Sequence, residues 1–262
     1  MCTLIALHRC IPGAPLVVAA NRDEFEGRPA RGPALRETER GVVLAPIDAQ
    51  AGGTWLGVNP SGMFAAVTNR RSESPDPRRR SRGLLVLDAL ATGSAAEAAA
   101  AALETPPDAY NPFNLFVADG ERAFAITYAG AAKCFELAPG SHVIGNADLA
   151  ASPPAKVARL ADRAVRLAAA PGPTLLGELA ELCRGHEEGG AASDAACVHA
   201  GRYGTRSSTL LRLADGPGDS ELLYADGAPC RTAYQDFTPL LHELRCGSAG
   251  SPEGDRLARR PI

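Results

Sequence analysis

Residues 1–25, MCTLIALHRCIPGAPLVVAANRDEF, decide how this chain folds. Cys2–Leu7 and Leu16–Ala20 are short apolar runs of strand formers, and Pro12-Gly13-Ala14-Pro15 between them reverses the chain. A hairpin closed at Cys10 and Pro15 sets Cys2 opposite Asp23, and a one-residue bulge moves that partner to Arg22 or Glu24. In each register Asn21-Arg22-Asp23-Glu24 folds back beside the start of the chain. A thiol at position 2 thereby meets an amide, a guanidinium and two carboxylates.

Position 2 matters because methionine aminopeptidases remove Met1 when a small residue follows. Cys2 then carries a thiol and a free α-amine, whose ordinary pKa of roughly 7.7–8.0 leaves part of it neutral near pH 7. A neutral amine beside its own thiol is a general base for it, the logic of the threonine and N-terminal amine pair. A strand cysteine is often buried and inert. The polar cluster across the hairpin is what favours a nucleophile here.

The 262 residues fit one large domain, read as residues 1–246, with residues 247–262 as a disordered tail. A hydrophobic content of 45% supplies a real core. The net charge of -3 gives no general attraction to nucleic acid or to an anionic membrane. No window holds the ~18 apolar residues of a membrane span, and no signal peptide opens the chain. The seven cysteines are odd in number, scattered and free of CxxC pairs, which argues against a disulfide scaffold and for a cytoplasmic location.

Beyond the first hairpin, Gly27–Pro33 reads as a loop and Gly41–Pro46 as a strand. Ala51-Gly52-Gly53-Thr54-Trp55-Leu56-Gly57-Val58 and Met63–Arg70 form a second hairpin around Asn59-Pro60-Ser61-Gly62. Its register brings Asn69, an NH2 donor suited to an oxyanion, near Gly52-Gly53. Trp55, the single tryptophan, reads as core or pocket wall. The arginines from Arg70 to Arg82 read as a solvated loop, since no aromatics interleave to stack bases. A site for an anionic group there is the minor option.

Gly83–Leu90 and Ser94–Leu103 read as helices, and residues 114–118, 123–128 and 133–137 as an antiparallel meander. Ser141–Leu149 opens with a strand that runs into Gly145-Asn146, and helical spacing covers residues 155–169 and 174–184. Cys183, His186, Cys197 and His199 raise the question of zinc, but Cys-x2-His and Cys-x-His fit no common structural site, so no metal is expected. Tyr203–Leu213 (YGTRSSTLLRL) is a strand alternating into the core, followed by a strand over Glu221–Tyr224. Strands at both ends, a central meander and two helical blocks suggest an α+β fold.

MCTLIA with VVAANRDEF, GGTWLGVNPSGMFAAVTNRR, Gly145-Asn146 ahead of Ser152-Pro153-Pro154-Ala155-Lys156, and YGTRSSTLL together resemble the NRDE family, also called the transport-and-Golgi-organisation family. The resemblance runs from Met1 to about Phe237. More distantly the chain is similar to the N-terminal nucleophile (Ntn) hydrolases of the choloylglycine hydrolase and penicillin V acylase group. The resemblance implies a four-layer αββα sandwich with the N-terminus at the mouth of a cleft. It implies Cys2 as nucleophile, Asp23 holding the α-amine, Asn69 and Asn146 stabilising an oxyanion, and Arg206 supporting the thiolate. Asn21, Arg22 and Trp55 are the expected substrate contacts, and Cys2 is expected to be the most reactive thiol. The chain departs from the acylase pattern at Ala20, where those enzymes carry an Arg, and it lacks the tryptophan the NRDE pattern places before Lys156. The implied reaction is hydrolysis of a linear amide C–N bond in a small molecule, without a cofactor. The other reading is a non-catalytic carrier of an acyl-lipid, haem or another hydrophobic small molecule in the same cleft, with no stable insertion into a membrane.

Overall fold

A computed structural model describes residues 2–70, 75–172, 174–186 and 194–246. The tail expected over 247–262, and Arg71 of the basic loop, lie outside the described residues. The opening hairpin is β1 (Thr3–Ile11) and β2 (Ala14–Phe25). Ile11 pairs with Ala14 at the turn, but from His8 outward the register has slipped by one, so that Thr3 pairs with Asn21. The slip is a bulge at Arg9-Cys10, with Arg9 in the left-handed region at φ 51°. Continued by one residue, this register sets Cys2 beside Arg22, not Asp23, the bulged alternative of the simple count.

The hairpin lies inside a sheet of order β10-β1-β2-β12-β13-β14, built with β10 (Gly140–Ile144), β12 (Tyr203–Leu213), β13 (Glu221–Ala225) and β14 (Gln235–Asp236); β11 (His199–Ala200) pairs with β12. A second sheet runs in sequence order: β3 (Ala30–Thr38), β4 (Gly41–Asp48), β5 (Leu56–Val58), β6 (Phe64–Asn69), β7 (Phe113–Ala118), β8 (Ala123–Tyr128) and β9 (Ala132–Leu137). β3 starts at Ala30, inside the stretch expected to be a loop. Pro33 is tolerated there because β3 is an edge strand, where its missing N–H costs no ladder bond.

Side-chain alternation sorts each strand between two cores. Leu16, Val18 and Ala20 of β2 face the second sheet, whose Trp55, Phe64, Ala66 and Phe116 complete the inter-sheet layer. Val17 and Ala19 face α3 (Ala155–Ala169) and α4 (Leu175–Arg184), against Ala164 and Leu179. On the far side, Ala65, Val67, Phe124 and Ile126 pack on α1 (Arg82–Leu90) and α2 (Ala95–Leu103). The result is the expected αββα stack. A last helix, α5 (Thr238–Cys246), which the sequence reading did not anticipate, closes the end of the inter-sheet core with Leu241 and Leu244. Among the described residues no helix is long and apolar enough to cross a membrane.

The helix starts follow local chemistry. Ser81 caps α1 by accepting from Gly83 N–H. Ser94 caps α2 by accepting from Glu97 N–H, while Glu97 Oε2 accepts from Gly93 N–H. Gly53 and Gly83 let α1 begin against the second hairpin: a Cβ on Gly53 would lie 2.4 Å from the Gly83 carbonyl carbon. Through that close approach Arg82, at the first turn of α1, enters the cleft described next.

Candidate active site

The same alternation that builds the cores places the signature residues. Even positions of β2 face the second sheet, so Arg22 continues the row of Leu16, Val18 and Ala20 and lays its guanidinium over Trp55, 4.3 Å from the ring centroid. Odd positions face the helices. Asn21 is buried there and donates from Nδ2 to the carbonyls of Cys183 (2.8 Å) and Ala196 (2.9 Å). It is therefore a brace between β2 and the segment after α4, and not the substrate contact the sequence suggested. Asp23 is also buried and accepts a 2.6 Å bond from Thr205 Oγ1. Its backbone carbonyl receives Tyr203 Oη at 3.1 Å and lies 4.0 Å from Cys2 Sγ.

Cys2, Arg22, Asp23, Trp55 and Asn69 line one cleft of about 560 Å³. The wall opposite β2 comes from the basic loop, with Arg79, Arg80 and Arg82. Arg79 and Arg80 are held by Asp108 and Asp88. Arg82 donates to the Pro112 carbonyl at 3.0 Å and, like Arg22, has no carboxylate within ion-pair distance among the described residues. The rim is apolar: Phe25, 61% exposed, meets Tyr203 edge to face at 5.1 Å. Arg28 and Asp48 form a two-pronged pair on the same wall, at 2.5–3.2 Å.

Two expected partners are placed differently. Arg206 lines a separate cavity with His199, Asp226 and Arg231. The pairing of β12 with β2 shifts register between Thr205 and Ser207, so Arg206 sits at an irregularity and leaves the alternation. Thr205, one position earlier, is the residue of that motif that reaches Asp23. Asn146 donates its side-chain amide to the Asn69 backbone carbonyl, which ties the end of β10 to the end of β6. Thr68 Oγ1 and Asn114 Nδ2 both donate to the Gly145 carbonyl and hold the same corner. Gly145 lets α3 come close, since a Cβ there would lie 2.9 Å from Val157 Cγ2.

Burial governs the electrostatics. It pushes the Cys2 thiol up, with the Asp23 charge adding to the rise and Arg22 opposing it. Burial also raises the Asp23 carboxyl, against the opposing influence of Lys156 and the Thr205 hydrogen bond. Lys156, in the first turn of α3, is the residue sequence reasoning quoted but gave no role. It is 8% exposed, and Nζ makes no hydrogen bond among the described residues. Burial lowers its pKa, while the charges of Asp23 and Cys2 raise it. Burial lowers Arg82 as well, and Cys2 opposes that shift. Arg22, Arg82 and Lys156 thus each act electrostatically on Cys2, three cations that favour negative charge developing on its sulfur.

Away from the cleft, His186, Cys197, His199 and Cys230 bring four metal-ligand atoms together, all within 4.8 Å of one another. Cys183, which the sequence grouped with three of them, is instead buried against Ser208 and Tyr234, and its thiol is pushed up to about 11 by that burial.

Comparison with known proteins gives the family and the fold. The chain is 34% identical over 139 residues to the Transport and Golgi organization protein 2 homolog of Bos taurus, a match spanning half of each chain. It is 31% identical over 234 residues to the Homo sapiens homolog, covering 78% of this chain and 83% of that one. Among solved structures, the Caenorhabditis elegans N-acylethanolamine-hydrolyzing acid amidase ortholog superposes with a TM-score of 0.57 at 13% identity, over 80% of this chain and 92% of that one. A Cys2→Ala mutant of the conjugated bile acid hydrolase from Clostridium perfringens gives 0.50 at 14% identity, over 91% and 93%. These likenesses establish the Ntn-hydrolase αββα fold. The family model for Transport and Golgi organisation 2 matches residues 1–218, and with the human relative it shows that this chain belongs to the Transport and Golgi organisation 2 family.

Proposed function

We propose that the protein hydrolyses a linear amide with Cys2 as nucleophile, on a small substrate that carries an anionic group. The observation that carries this reading is the half-buried Cys2 thiol lining a cleft that Arg22 and Arg82 also line. A protonated thiol needs a base at the moment of attack, and the α-amine freed by loss of Met1 is on the same residue. Asp23 holds that amine, and Thr205 holds Asp23.

In the first step the amine accepts the thiol proton as Sγ bonds to the carbonyl carbon. The oxyanion is met by the Asn69 amide and the arginine charges; Asn146 acts by fixing Asn69 through its carbonyl. The amine then gives the proton to the leaving nitrogen as the C–N bond breaks, leaving a thioester and a free amine. Water adds to the thioester, losing a proton to the α-amine, and the C–S bond breaks to release the acid and restore the thiol. Arg22 and Arg82, without carboxylate partners among the described residues, suit a carboxylate or similar group on the substrate.

The test is turnover of a panel of N-acyl amides bearing terminal carboxylates, by wild type and by Cys2→Ala. Hydrolysis lost in Cys2→Ala supports the reading; hydrolysis retained there overturns it. The second reading, a carrier of an acyl-lipid or haem-like molecule, draws on the exposed Phe25–Tyr203 rim. It predicts tight binding without turnover, unaffected by Cys2→Ala.

A further inference from the structure

Three stretches far apart in sequence converge behind the cleft. His186 follows the end of α4, Cys197 and His199 lead into β11, and Cys230 lies after β13. Cys197 Sγ is 3.6 Å from Cys230 Sγ and 3.6 Å from His199 Nε2, and His199 Nε2 is 3.2 Å from Cys230 Sγ. The His186 and His199 rings stack at 5.1 Å, and every pair of ligand atoms falls within 4.8 Å. A tetrahedron with bonds of about 2.3 Å to sulfur and about 2.0–2.1 Å to nitrogen has edges of about 3.8 Å between sulfurs and about 3.6 Å from sulfur to nitrogen. The measured separations are close to those edges. They also exceed the ~2.05 Å of a disulfide by far.

We propose that His186, Cys197, His199 and Cys230 form a structural zinc site. Two thiolates and two neutral imidazoles are the donor set that suits Zn2+, and together they neutralise it. Binding displaces the two thiol protons to solvent. Four protein ligands fill the tetrahedron, so the ion has no open position for substrate and serves to hold the chain.

What it holds is the back of the cleft. Val198, between two ligands, donates its N–H to Thr205 Oγ1 at 2.8 Å, and the Thr205 N–H returns to the Val198 carbonyl at 2.9 Å. Thr205 Oγ1 then donates to Asp23. Cys197 N–H bonds the Gly185 carbonyl next to His186, and the Ala196 carbonyl takes one bond from Asn21. A metal at this point fastens the end of α4, β11 and the turn after β13 to the strand that carries Asp23. Sequence spacing hid the site because its fourth ligand, Cys230, lies beyond β12 and β13, while Cys183, the tempting neighbour, points elsewhere.

The experiment uses the full chain, free of any histidine tag and purified in a reducing buffer without chelator. Zinc is quantified by elemental mass spectrometry. The chelator-stripped protein is then titrated with Co2+ and with Zn2+. The expected result is about one equivalent of zinc per chain, and Co2+ bands of tetrahedral, thiolate-ligated metal that Zn2+ abolishes. His186→Ala alters an exposed ligand and keeps the fold testable; it should weaken metal retention at least tenfold. Cys197→Ser should weaken the thiolate-to-metal band about twofold or more, and Cys134→Ser should change neither zinc content nor spectrum. The proposal is overturned if wild type carries less than about a tenth of an equivalent and gives no tetrahedral Co2+ spectrum. It is equally overturned if Cys197 and Cys230 are found oxidised to a disulfide while Zn2+ is present in excess. If the cysteine variants do not fold, the wild-type Co2+ spectrum alone decides.

Discussion

Thr205→Val tests the link between the closing motif and the signature aspartate. The substitution keeps the branched shape of a side chain that is 3% exposed and removes only the hydroxyl. That hydroxyl donates to the Asp23 carboxylate at 2.6 Å and accepts from Val198 N–H at 2.8 Å. Loss of a hydrogen bond to a charged group costs about 1.5–3 kcal/mol, and leaving a buried N–H unpaired costs about 1–3 kcal/mol more. The expected loss is therefore about 2.5–6 kcal/mol, which for a chain near this size lowers the thermal midpoint by roughly 5–24 °C. Chemical denaturation at pH 7 and in mild acid is the assay. The loss should narrow as pH falls through the Asp23 pKa, because a protonated carboxyl gives up the charge-assisted part of the bond. Thr205→Ser keeps both hydrogen bonds and loses one methyl, so it should cost only about 1 kcal/mol. A Thr205→Val loss below about 1 kcal/mol at pH 7 would falsify the relay from Val198 through Thr205 to Asp23.

Asp23→Asn should gain stability relative to wild type as pH rises from ordinary carboxylate values through the raised Asp23 pKa. The folded state binds the Asp23 proton more tightly than the unfolded one, so the wild type loses stability over that window while the amide does not; a pH-independent difference would contradict this. Lys156 is shifted the opposite way, so wild type should gain stability as pH rises from the lowered Lys156 pKa toward 10.5, and Lys156→Met should lack that gain when thermal midpoints are compared across pH. Arg82→Gln should slow alkylation of Cys2 several-fold by removing a cation that favours the thiolate, whereas Arg206→Ala, in another cavity, should leave the rate unchanged. Equal slowing by both variants, read by peptide mapping after brief labelling, would remove Arg82 from its place beside the thiol.

Much of this was legible in the sequence. Local chemistry fixed the opening hairpin, the meander over 113–137, and the helices of 155–169 and 175–184, because turn residues and hydrophobic period agree there. What escaped were long-range events. The bulge at Arg9-Cys10 moved the partner of Cys2 by one residue, and the shift at Thr205–Ser207 carried Arg206 out of the cleft; a bulge is set by twist and packing across strands and leaves no composition signal. Asn21 shared a motif with Arg22 and Asp23, yet strand alternation turned it to the helical side, where it braces backbone carbonyls. Arg82 and Lys156 reach Cys2 only through the approach of α1 and α3, which no local pattern encodes.

The central claim is that Cys2 attacks with its own α-amine as base. Intact-mass measurement of the protein made in cells, before and after brief exposure to an N-acyl amide that is turned over, tests it most directly. The account predicts a chain lacking Met1 that gains the mass of one acyl group, mapped to Cys2 and released by hydroxylamine. A chain that retains Met1 while it turns the amide over, or an acyl group mapped to any other residue, would contradict it.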